Sequence, residues 1–114
     1  MAFAEGASGV VATWETAGNV RFAPVTADAA SASPISPPGE ARIRKHPRLA
    51  VNNAGQVLLV WTEGAAWARG GSLAWQVFGL DGRPLAENGG RTGLPAWSFG
   101  AAAVRVDGTF TVFY

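Results

Sequence analysis

Read by hydrophobicity, the chain is a series of short apolar bursts cut by glycine, proline, asparagine and aspartate. Residues 51–64 run VNNAGQVLLVWTEG: an apolar lead-in, an Asn-Asn-Ala-Gly turn, an apolar run, then Trp-Thr-Glu. The same phrase stands near the N-terminus as ASGVVATWETAG and again at the end as VRVDGTFTVFY. Aligned on their aromatic ends, Trp14 matches Trp61 at an offset of 47 (61 − 14), and Trp61 matches Tyr114 at an offset of 53 (114 − 61). Each copy predicts two strands around a turn: 2–4 with 10–14, 49–51 with 57–61, and 102–104 with 110–114. A third strand is expected over 19–26, with Val20, Phe22 and Val25 buried. Another is expected over 72–79, where Leu73, Trp75 and Val77 alternate with smaller or polar residues, the period of a strand rather than a helix. Asp-Gly in 80–84 supplies the positive φ of a tight hairpin. Residues 38–43 and 83–87 would be weak outer fourth strands. A strand unit recurring every 40–50 residues or so is the signature of a β-propeller blade.

The expectation is therefore an all-β chain of four-stranded antiparallel propeller blades. Blade 1 would run over about 1–46, blade 2 over about 47–98 and half of blade 3 over about 99–114. The phrase HPRLAVNNAGQVLLVWTEG, followed by SLAWQVFGLDGRP, resembles the repeats of sialidase-like (BNR-type) bacterial β-propeller proteins. The resemblance covers most of the chain and implies fold more than activity. The family's Asp-box, Ser-x-Asp-x-Gly-x-x-x-Trp, is not intact, because residues 52–61 carry the glycine and tryptophan without the Ser-x-Asp. The resemblance also implies chemistry on the loop-rich face: an arginine triad, an aspartate acid/base and a tyrosine nucleophile paired with a glutamate. Here the aspartates are Asp28, Asp81 and Asp107, all expected near the tight-turn face, and the sole tyrosine is Tyr114. Sialidase catalysis is not carried over.

Composition fits a packed core: 48% of the 114 residues are hydrophobic and 15% charged, with fifteen glycines and seven prolines as punctuation. A formal net charge of +1 and one basic cluster give no reason to expect nucleic acid or an anionic membrane. Without cysteine there is no disulfide framework and no thiolate metal site. No apolar run approaches the ~18 residues of a membrane span. Residues 1–9 lack the basic start and long apolar stretch of a secretion signal. The compartment stays open, and the repeats favour a piece of a secreted or periplasmic parent. Two and a half blades would leave flat apolar faces bare, whereas propellers close rings of about four to eight blades. The expected partner is thus the chain itself, as a homo-oligomer closing a ring: two copies for five blades with strand exchange, or three for a larger ring.

Propeller topology puts the minimal turns on one face and the longer connections, 42–48, 63–71 and 91–98, on the other. The second face is the candidate site because loops carry function. Trp67, Arg69, Trp97, Arg44 and Arg91 are the candidate ligand-binding residues, suited to stacking a sugar ring or holding an anionic group. Glu63 is a candidate acid or base, either with His46 or opposite Glu15, since a glycosidase needs two carboxylates. His46 is the sole histidine, so no multi-histidine metal site forms within one chain, and neither metal nor cofactor is expected. Trp14, Trp61 and Trp75 are expected to pack between blades. Three readings stay open: a non-catalytic module binding a carbohydrate or anionic small ligand, a glycosidase-type or promiscuous hydrolase with a pocket at a shared axis, and a truncated or engineered fragment that self-assembles.

Overall fold

The computed structural model describes the chain apart from residues 7–8, 26–32, 40–42, 67 and 80. Trp67 and Asp28, singled out above, lie outside the described residues. Among the described residues there is no helix, and nine strands form three antiparallel sheets, none of them closed. The first sheet is β1 (Ala2–Gly6), β2 (Gly9–Thr16) and β3 (Asn19–Pro24). The second is β4 (Arg44–Val51), β5 (Val57–Glu63), β6 (Ser72–Phe78) and β7 (Pro84–Arg91). A terminal hairpin joins β8 (Ala101–Val104) to β9 (Phe110–Phe113).

Three hairpin turns share one construction. Gly55, Gly82 and Gly108 donate back to the carbonyls of Asn52, Gly79 and Arg105 at 3.0, 2.9 and 2.9 Å. All three glycines hold φ between 80° and 86°, a region that costs residues with a Cβ. Asp81 Oδ1 and Asp107 Oδ1 accept the backbone N–H two residues on, each at 3.0 Å, which is the Asx closure that the Asp-Gly pairs announce.

β5 explains the layering. Its alternate side chains point to opposite faces, and both faces are covered. Val57, Leu59 and Trp61 join Val11, Val20, Phe22, Leu49, Val51 and Phe78 in a core between the first and second sheets. Leu58 and Val60 join Leu73, Val77 and Leu94 in a second core, against which Ala102, Phe110 and Val112 of the terminal hairpin pack. The second sheet is thus sandwiched, so its central strand is continuously apolar rather than alternating.

Several expectations change. The connection expected over 42–48 is strand from Arg44 onward. Pro47 has no N–H for the ladder, and the register shifts between Lys45 and Arg48 as a bulge. Beside β3 stands Ile35, which exchanges backbone hydrogen bonds with Phe22 at 2.8 and 2.9 Å, while residues 40–42 of the strand expected over 38–43 lie outside the described residues. β7 extends well past 87, because Trp75 lies over Gly89, where a Cβ would sit 2.5 Å from the indole. Val25 is exposed rather than buried, lying just past the end of β3. Trp61 is core as expected and Trp75 packs against the second core, but Trp14 is half-buried on the side of the first sheet that points away from the second.

Candidate functional site

The β4 bulge organises the loop-rich end. With Pro47 breaking the ladder, the His46 backbone sits at φ 54° and its N–H donates to Glu15 Oε2 of the first sheet at 2.9 Å. The Thr62 hydroxyl donates to the Lys45 carbonyl at 3.1 Å, and His46 Nδ1 lies 3.0 Å from the Thr62 hydroxyl oxygen. A hydroxyl has one hydrogen to give, so Nδ1–H is the donor to Thr62, and Nε2 is left as the acceptor of the neutral ring. The imidazole meets Phe99 edge to face, with centroids 4.6 Å apart.

Two connections wall this bulge. In the first, Ala66 and Arg69 exchange backbone hydrogen bonds at 2.9 and 3.0 Å, and Arg69 Nε donates to the Gly64 carbonyl at 3.2 Å. In the second, Ser98 donates back to the Pro95 carbonyl at 3.3 Å, and Trp97 takes φ 68°. The two are tied together where Leu94 donates to the Gly71 carbonyl at 3.0 Å. Gly70 lies so close to the Leu94 and Pro95 carbonyls that no side chain would fit there.

Between these parts lies a cleft of about 250 Å³ lined by Lys45, His46, Ala65, Ala66, Arg69, Trp97, Ser98 and Phe99. Two cationic side chains, an imidazole and two largely exposed rings converge there, Trp97 at 68% exposure, and among the described residues none that lines it is acidic. Such a set can pair with a carboxylate or sulfate while a ring face meets an indole. Among the described residues no cluster of His, Cys, Asp or Glu could hold a metal ion.

Of the residues singled out from the sequence, His46, Arg69 and Trp97 come together. Arg44 does not join them. Its side chain is 3% exposed and donates to the Pro37 and Pro38 carbonyls at 2.8 and 2.7 Å, to Asn19 Oδ1 at 3.2 Å and to Glu63 Oε1 at 3.2 Å. It also lies over the Trp61 ring, 5.4 Å from the centroid. Glu63 Oε1 accepts the Trp61 indole N–H as well, at 2.9 Å, so this carboxylate is a structural acceptor facing Arg44. Glu15 is likewise engaged, by the His46 N–H. Arg91, at the end of β7, lies over the Tyr114 ring at 5.1 Å and does not line the cleft. The sequence reading passed over Ser98 and Phe99. Phe99, a large apolar residue outside any alternating run, was the signal for them.

No known family model, curated protein or solved structure matches this chain.

Proposed function

We propose that the chain is a non-catalytic module of sialidase-like β-propeller type, made of two blades and half of a third, which binds an anionic carbohydrate in the Lys45–Arg69–Trp97 cleft. The blade reading rests on the threefold sequence phrase and on the way each sheet packs face to face on the next. The binding reading rests on one observation: among the described residues, cations and exposed aromatic rings line a single cleft with no carboxylate between them. A sugar acid offers both matching parts, an anion for Lys45 and Arg69 and a C–H ring face for the Trp97 indole. The hydrolase reading needs Glu63 and His46 to work together. Glu63 lies outside the cleft lining, and its Oε1 is already the acceptor of both Arg44 and Trp61.

The test is a tryptophan-fluorescence titration with N-acetylneuraminate, glucuronate and glucose. A saturable change with either acid and none with glucose is expected. Arg69→Gln should weaken binding by roughly ten-fold or more, the usual worth of one charge-assisted hydrogen bond. Equal responses to acid and neutral sugar, or no saturation with any of the three, would sink the proposal.

A further inference from the structure

We infer that the outward face of the first sheet and the outward face of the terminal hairpin are two halves of one interface, and that a second copy of this chain docks across them head to tail. The inference holds whether or not the cleft binds a sugar acid.

The argument starts from equivalent positions. Val57, Leu59 and Trp61 of β5 face the sheet before them. Adding the offset of 53 to Val57 and Leu59 gives Phe110 and Val112 of β9, which also face the sheet before them. Subtracting 47 from the same three gives Val10, Ala12 and Trp14 of β2, with Phe3 beside Ala12 on the same face. Among the described residues no sheet precedes this face, and Phe3 is 62% exposed on it. The opposite parity behaves in the same way. Leu58 and Val60 face the following hairpin, and their equivalents one unit on are Thr111 and Phe113, the latter 56% exposed with no described sheet beyond it. The chain therefore makes this front-to-rear contact twice internally and leaves one unmatched half at each end.

Charge agrees. Asn52 reaches the following hairpin, its Nδ2 donating to the Gly108 carbonyl at 3.0 Å. The residue 53 positions on from Asn52 is Arg105, which equivalent stacking would set near the C-terminal end of β1 in the next copy. Glu5 stands at that end of β1, paired with Val10 on the front face. A front-to-rear contact is heterologous, so copies add in one direction and close into a ring if the rotation permits.

Light scattering across a concentration series, with matched circular dichroism to check folding, tests this. The full chain should assemble beyond a monomer, and a monomer at every concentration overturns the inference. Phe3→Glu blocks the front and Phe113→Glu blocks the rear, both at sites exposed in the single chain. Each variant alone should be monomeric, and their mixture should give a 1:1 dimer that grows no further. A dimer of either variant alone would mean a self-complementary face and would overturn the head-to-tail contact, as would a mixture that stays monomeric while the unmodified chain assembles. The charge pair gives a second reading that does not depend on the aromatic changes. Glu5→Arg or Arg105→Glu alone should weaken assembly by about two- to five-fold, and the double variant should restore it. Additive weakening in the double variant counts against the contact.

Discussion

Replacing Arg44 with methionine keeps most of the stem while removing the charge, every donor and the guanidinium over the Trp61 ring. Among the described residues four acceptors then lose a donor: Glu63 Oε1, which keeps the Trp61 indole N–H, Asn19 Oδ1, which keeps the Val20 N–H, and the Pro37 and Pro38 carbonyls. Breaking a buried ion pair costs about 3–5 kcal/mol, because the remaining charge is left in a poor solvent. The Glu63 side chain is 23% exposed and gains some relief from water, which favours the lower half of that range, ~3–4 kcal/mol. An unfolding entropy of about 2.1 cal/mol/K per residue gives roughly 0.24 kcal/mol/K for 114 residues, so Tm should fall by about 13–17 °C. Thermal melts by circular dichroism, taken at the lowest workable concentration to keep assembly out of the signal, measure this. Arg44→Lys should fall between the two, since an ammonium keeps the charge but cannot span four acceptors with a planar fork. A drop of less than about 4 °C for Arg44→Met, corresponding to under ~1 kcal/mol, would refute the view that this cluster fastens the first sheet and the 37–38 segment to the second.

Gly100 has ordinary backbone geometry, but a Cβ there would lie 2.5 Å from Leu73 Cδ1 and 2.6 Å from Val60 Cγ1. Gly100→Ala should therefore destabilise by about 1–3 kcal/mol through overpacking of the second core, and an unchanged urea midpoint would contradict that packing. At the last hairpin, the Thr109 hydroxyl and backbone N–H hold the Asp107 carboxyl below the ordinary carboxylate range. A lowered folded-state value means that the turn's contribution is present above the unfolded pKa and is lost as pH falls through the folded one. Carboxyl NMR titration should show Thr109→Val moving Asp107 back up toward the ordinary range, and no movement would remove the hydroxyl as the main cause.

What was legible in the sequence follows how local its cause is. The Asp-Gly and Asn-Asn-Ala-Gly turns, the apolar run of β5 and the alternation of β6 are set by neighbouring residues, and they stand where the pattern put them. The strand character of Arg44–Arg48 was hidden, because a buried arginine is tolerable only through partners at Glu63 and at 37–38, on separate segments. The extension of β7 through Gly89 was hidden for the same reason, since its cause is the indole of Trp75 on the adjacent strand. The candidate site divides along this line. Exposed loop residues such as Arg69 and Trp97 were readable as such, whereas Arg44 looked identical in sequence and turns inward to a structural role.

The position of the cleft follows from how little freedom its parts retain. Its floor is the bulge of β4, pinned by the Glu15–His46, Thr62–Lys45 and His46–Thr62 hydrogen bonds. That bulge belongs to the sheet whose two faces are both covered. Its walls are two connections joined at Gly71–Leu94 and at the close approach of Gly70 to Pro95. Residues held in place before a ligand arrives add little ordering cost to binding, so a modest set of contacts can suffice for specificity. One of those pins, Glu15, comes from the first sheet, while Lys45 and His46 come from the second. The shape of the cleft therefore depends on the packing of one sheet on the next. Whatever strengthens that stacking also holds the His46 backbone, and with it the floor of the cleft, in place.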